Sequence, residues 1–394
     1  MIPPERIQRT LDESDLDILI ASTPENVFST SGMYCLATAG LGEPAFSIWS
    51  ADAGGPYLVM PAREMSSLID NNVDPADVYP YGTTNIYQSG SLSETDRRVL
   101  EFQNARDFDD PIVALATAVD EVAGGDRIAL EREGFDPDSF EDVEAALADY
   151  NLERAADQLY DLRQVKTEEG VQCLRRAAEI TEAAMEEAMA TIEPGTTEQE
   201  LATEFRKRVS EKGGEPVQGF LTVGFGERTA YTHPLPSDRE IREGDLVRWD
   251  GGCTVGNYYS DIGRTFAYRS ANKQFQQVYE ALYAGLDAAL GELEDGVDTG
   301  TVYEAGVEAV RSAGVGSLEA FNPFHLGHGI GVEIYDPPTI EPGAGRIQEG
   351  TVMCVEPPYN ELGSGGFLIE DEVLVTADGH EKLTDADETL PIVD

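Results

Sequence analysis

Over roughly the first 150 residues, short apolar runs alternate with amphipathic stretches. Residues 16–21 are almost uniformly apolar and precede the turn cluster Thr23-Pro24-Glu25-Asn26, so they read as a strand. Residues 56–60 and 127–131 read as further strands. Between 138 and 147, Phe140, Val143, Ala146 and Leu147 recur at helical spacing. The pattern predicts a mixed α/β domain over residues 1–155.

A charged stretch, 151–170, separates this from a second region. There, 171–192 predicts a long helix that Glu193-Pro194-Gly195 would stop. Thr197 and Glu200 stand in capping-box spacing at the start of the next helix. Another helix is predicted over 274–293. The segments 219–229, 245–268 and 351–376 are strand-rich. No tandem repeat or low-complexity tract interrupts them.

Length and composition agree with two folded domains. The chain has 394 residues, 41% of them hydrophobic, which is enough for real cores. Charge narrows the partners. Against 27 basic residues stand 75 acidic ones, a net charge of −48. Such a surface repels nucleic acid and anionic membrane. The acids run from Glu5 to Asp394 without a long block, and lysine occurs only at 166, 207, 212, 273 and 382. This spread favours adaptation to a salt-rich cytosol over an acidic tail that grips a basic partner. At 1 M salt the Debye length is about 3 Å, short enough to screen the self-repulsion. The first residues lack a signal-peptide pattern, and the apolar run 112–119 is too short for a bilayer. Cys35, Cys173, Cys253 and Cys354 lack CxxC spacing and read as reduced thiols. The expected location is the cytoplasm.

The strongest local signal is the segment 245–261. Two strand-like runs flank a turn near Val255-Gly256. A two-residue turn there sets Asp250 directly opposite Asp261, about 5 Å apart at Cβ. Carboxylates that close need a proton or a cation between them, and oxygen ligands suit a hard or borderline metal. The alternative is an exposed hairpin with two solvated acids. Further donors follow: His328 within His325-Leu326-Gly327-His328-Gly329, where glycines permit close backbone approach, and Glu356 and Glu370, each ending an apolar run.

In this order and these contexts, Asp250, Asp261, His328, Glu356 and Glu370 resemble the metal ligands of the M24 metallopeptidases, the pita-bread enzymes that include methionine aminopeptidase, aminopeptidase P and prolidase. Thr232-His233-Pro234-Leu235-Pro236 resembles the family's histidine segment. Leu162-Arg163-Gln164-Val165-Lys166 resembles the entry to its catalytic domain, and 24–32 the creatinase/prolidase N-terminal domain. The resemblance implies a creatinase/prolidase-like domain over 1–155 and a pita-bread catalytic domain over 156–394. It implies two divalent ions. Asp250 would hold one, Asp261 and Glu370 would bridge both, and His328 and Glu356 would complete the second. A bridging hydroxide would attack the peptide bond before proline. Glu356 would shuttle the proton and His233 would assist the transition state. The carboxylate-rich shell favours manganese, with cobalt, iron and zinc as alternatives. A small peptide is the implied substrate and a homodimer the implied assembly. His325 reads as a packing or supporting residue, His380 as a surface residue, and Cys253 and Cys354 as small buried residues.

Two positions depart from the family. Tyr335 stands where prolidases carry a histidine seven residues after the ligand histidine. Leu368 stands where an arginine often precedes the last ligand by two. Arg248, two before Asp250 and so on its strand face, is the candidate replacement cation; a surface-paired arginine is the alternative. The leading expectation is an Xaa-Pro dipeptidase. Aminopeptidase P activity on longer peptides, a non-peptidase hydrolase or lyase at the same metal site, and a binding module without catalysis are the competing ones.

Overall fold

A computed structural model describes residues 1–84 and 86–394. Contacts divide it into two units, Met1–Arg163 and Gln164–Asp394.

The first unit is built on a six-stranded sheet in the order Asp77–Tyr81, Gly54–Pro61, Phe46–Ser50, Ile18–Ala21, Arg127–Leu130, Asn151–Arg154. Ile18–Ala21 runs parallel to Arg127–Leu130 and antiparallel to Phe46–Ser50. Both central strands are buried on both faces, which is why they read as unbroken apolar runs. The run 112–119 lies in helix Pro111–Val122, which packs Leu115, Ala118 and Val119 onto one face. Ile7, Leu11, Leu159 and Leu162 pack on the other. The cluster read as a turn at 23–26 instead starts helix Pro24–Ser31. Thr23 caps it by accepting from Asn26 N, and Pro24 sits in the first turn. Turn formers and helix N-caps share a chemistry, so the local signal does not distinguish them.

The second unit contains two main sheets, each backed by helices. One has the order Ile392–Val393, Ile262–Tyr268, Leu246–Gly251, Thr222–Phe225. Helices Glu168–Met189 and Glu198–Glu211 cover it, and Phe205 meets Trp249 edge-on at 4.9 Å between ring centroids. Truncating the fully buried Trp249 to alanine would cost about 3–5 kcal/mol. The other has the order Asp336–Thr339, Gly327–Gly329, Val352–Val355, Asp371–Thr376, Gly379–Lys382. Helices Lys273–Gly291 and Thr299–Ser312 share a core with its Met353, Val355 and Val373.

The capping box at Thr197 and Glu200 is present. Helix Thr299–Ser312 was not anticipated, because Gly300 and Gly306 weaken its local signal. Packing explains Gly306: a Cβ there would meet Leu326 Cδ1 at 2.6 Å and Gly285 O at 3.1 Å. No described helix is long and apolar enough to cross a membrane.

Candidate metal centre

The hairpin after Leu246–Gly251 turns at Gly256-Asn257, one residue later than expected. Thr254 pairs with Tyr259 and Val255 with Tyr258. Gly256 and Asn257 have φ of 56° and 67°, as a type I′ turn requires. Asparagine tolerates that region and valine does not, so Val255 stays in the strand. The register shifts by two, and Asp250 opposes Gly263 rather than Asp261. A shift of two preserves the face of every side chain. Asp250 and Asp261 are therefore diagonal neighbours on one face. Gly263 is needed there: a Cβ would meet Leu368 Cγ at 2.4 Å and Glu370 Oε2 at 3.0 Å.

The second sheet supplies the other donors. His328 pairs with Cys354. Val355 pairs with Asp371, so Glu356 and Glu370 face each other one step beyond that pair. Carboxylate oxygens of Asp250, Asp261 and Glu370 lie within 4.8 Å of one another. His328 Nε2 is 3.7 Å from Asp261 Oδ2 and 3.9 Å from Glu356 Oε1. His328 Nδ1 lies 3.0 Å from Gly329 O and donates to it, which leaves the lone pair on Nε2.

Three buried atoms aimed into this cluster, His328 Nε2, Asp261 Oδ1 and Glu370 Oε1, have no hydrogen-bond partner among the described residues. Burial, and then the charge of Asp250, pushes Glu356 up to about 8. Burial, and then the neighbouring acids, holds Asp261 and Glu370 well above the ordinary carboxylate range, and burial raises Asp250 too. Burial pushes His328 down to about 4, so its imidazole is neutral. Four acids that resist ionising, a neutral imidazole and three orphaned acceptors are a donor set that fits divalent cations.

The remaining candidates surround this cluster. A cavity of about 400 Å³ is lined by all four acids together with His233, Arg248 and Tyr335. His233 is exposed on its wall, after the 3-10 turn Gly226–Ala230. Tyr335 stacks on His328, with ring centroids 3.8 Å apart. Arg248 is buried, not a surface residue. Its Nη1 donates to Asn360 Oδ1 at 2.8 Å, Tyr231 O at 3.0 Å and Thr229 O at 3.4 Å, and its Nη2 stands 4.0 Å from Asp250 Oδ2. His325 Nδ1 accepts from Gly327 N at 3.1 Å and lies 3.7 Å from Glu356 Oε1. His380 lies in the edge strand Gly379–Lys382, away from the cavity. Leu368 is buried.

Two supporting residues were missed in the sequence. Glu372 Oε1 accepts Asp261 N–H at 2.6 Å. Buried Arg264 donates to Glu370 O, to Glu182 at 2.7 Å and to Asp371 at 3.1 Å. Strand alternation from Glu370 would have pointed to Glu372. Cys354 lies with His328 and Glu370. Burial pushes its thiol well above the ordinary range, and it donates to Asp261 O at 3.8 Å.

Known proteins share this architecture. An Xaa-Pro dipeptidase of Pyrococcus furiosus is 31% identical over 235 residues, 59% of this chain and 67% of that protein. An X-Pro aminopeptidase of Thermotoga maritima superposes with a TM-score of 0.79 at 24% identity, covering 100% of both chains. A dipeptidase of Mycobacterium ulcerans superposes with a TM-score of 0.79 at 25% identity, covering 99% of this chain and 96% of that one. The fold is thus an N-terminal domain followed by a pita-bread domain. The sequence profile of metallopeptidase family M24 matches residues 172–377, just over half of the sequence and almost all of the strands and helices that bear the acid cluster, and the chain belongs to that family.

Proposed function

We propose that this metallopeptidase hydrolyses the peptide bond before proline, with Xaa-Pro dipeptides as its substrates. The observation that carries the reading is the convergence of Asp250, Asp261, His328, Glu356 and Glu370 around unpartnered buried acceptors, in a cavity whose one lysine or arginine among the described lining residues is Arg248. Asp250 would hold one divalent ion, His328 and Glu356 the other, and Asp261 and Glu370 both. Manganese suits so carboxylate-rich a shell. Bound ions would supply an activated water and polarise the scissile carbonyl.

The protein's own groups do the rest. Glu356 takes the proton from the attacking water and delivers it to the proline nitrogen as the C–N bond breaks. His233 hydrogen-bonds the carbonyl or the departing nitrogen from the cavity wall. Tyr335 offers a phenol hydroxyl where the substrate enters. Arg248 attracts the substrate's terminal carboxylate, which in a dipeptide lies one residue from the scissile bond. That favours a dipeptide over a longer chain. The same relatives include an aminopeptidase, so cleavage of longer Xaa-Pro peptides is the second reading. Tyr335 and Leu368 motivate a third, a non-peptidase reaction at the same site. A homodimer and a salt-rich cytoplasm complete the proposal, on the resemblance and on the charge of −48.

The test is product identification by mass spectrometry in concentrated KCl with Mn²⁺, using Xaa-Pro dipeptides, Xaa-Pro-Xaa tripeptides and a chelator control. Chelator-sensitive release of proline from dipeptides alone is expected. Cleavage confined to tripeptides would replace the dipeptidase reading with the aminopeptidase one. No cleavage by folded, metal-loaded protein would end both.

A further inference from the structure

One buried carboxylate anchors both feet of the segment that carries His233. Glu198 opens helix Glu198–Glu211, and its side chain is fully buried. Its Oε1 accepts Phe225 N–H at 2.8 Å; its Oε2 accepts Ser237 N–H at 2.9 Å and the Ser237 hydroxyl at 2.6 Å. Arg228 Nε reaches both oxygens at 3.0 Å, and Arg228 Nη2 donates on to Leu235 O at 2.7 Å. Phe225 ends the strand Thr222–Phe225 before the segment, and Ser237 closes the segment behind His233. Arg248 holds its middle through Thr229 O and Tyr231 O.

A buried ion pair is weak evidence for stability, because desolvation offsets most of the attraction. Fixing geometry is a better use for it. An imidazole on a chain segment between two elements has to be held in place to act, since a 1 Å displacement costs about 10²-fold in rate. We propose that Glu198 is a positioning residue for His233: it pins the two feet of the segment together so that the exposed imidazole keeps its place on the cavity wall. This rests on the role given to His233 in the proposed reaction.

The test is a double-mutant cycle on the full-length, metal-loaded chain in KCl. Glu198→Gln cannot accept from both sides, because its amide must turn an NH₂ toward one of the two N–H donors. Alone it is expected to lower kcat about tenfold, well under the cost of a full 1 Å displacement, with metal content unchanged. In a His233→Ala background it is expected to change kcat by less than about twofold, the scatter of such cycles. A purely structural Glu198 would give the same loss in both backgrounds, and that additivity would overturn the proposal while leaving His233 its role. A His233→Ala enzyme with undiminished turnover would overturn both. If Glu198→Gln does not fold, Ser237→Ala deletes one hydroxyl contact and runs through the same cycle with the same criteria.

Discussion

The phenol ring of Tyr335 lies on the imidazole of His328, with centroids 3.8 Å apart and planes 27° apart. The imidazole is thus fixed on two sides, by this stack and by the Nδ1 bond to Gly329 O. Orientation of a ligating histidine by its neighbours is worth about 10–100-fold in metal affinity. Tyr335→Ala is therefore expected to weaken Mn²⁺ binding about tenfold by calorimetry. Tyr335→Phe keeps the stack and should leave affinity unchanged, so a loss of kcat/KM in that variant isolates the hydroxyl. Equal affinity in the alanine variant would remove the stack from the account.

Arg248 has two duties in this reading, and substrate chemistry separates them. Arg248→Ala is expected to raise KM for an Xaa-Pro dipeptide about 10–100-fold, the range of one hydrogen bond to a charged group. The corresponding dipeptide amide lacks the carboxylate and should show little further loss. If both substrates suffer equally, Arg248 acts by holding Thr229 and Tyr231, and its carboxylate role is withdrawn.

Metal removal should expose the burial of the acids. Asp250, Asp261, Glu356 and Glu370 all have folded-state pKa values above their ordinary ones. Without metal they bind more protons folded than unfolded, so stability falls as pH rises. His328, lowered to about 4, has the opposite sign, but its contribution is complete above 6.5. Between pH 6.5 and about 8, the value reached by Glu356, only the acids of this set act. The Tm of chelated protein in KCl should drop across that window, and added Mn²⁺ should raise Tm more at its upper end. A flat or rising metal-free Tm would contradict the geometry of the cluster.

Net charge makes a separate prediction. Dialysis from concentrated KCl into low salt should cost structure, because the repulsion within a chain of charge −48 is no longer screened. Circular dichroism and activity unchanged without salt would refute adaptation to a salt-rich cytosol.

Much of the fold was legible because local and long-range demands agree. Helix Glu168–Met189 buries Leu174, Ala177, Ala178, Thr181, Ala184 and Met185 at helical spacing, and the capping box at Thr197 marks the next start. The grouping of Asp250, Asp261, Glu356 and Glu370 was legible because each stands within one residue of a strand end, where alternation fixes the face, while His328 lies inside the short strand Gly327–Gly329. Asn257 explains the misplaced turn: it tolerates the left-handed region better than most side chains, and counting only Gly256 moves the register by two. What could not be read are bonds between segments far apart in sequence. Arg248 meets Asn360 and Glu372 meets Asp261, separations of 112 and 111 residues. These pairings follow from strand packing; alternation gives the face of Glu372 but not its partner.

The donors are shared between two sheets, with Asp250 and Asp261 on one and His328, Glu356 and Glu370 on the other. Helices Lys273–Gly291 and Thr299–Ser312 and the turn between them lie in the chain that joins these two groups. A protease that nicks that turn would leave two fragments, each with only part of the set. The two fragments would still share the buried core of those helices and the second sheet, so the metal affinity of the nicked protein, rather than separation of its halves, would report how well that core keeps the two part-sets in register.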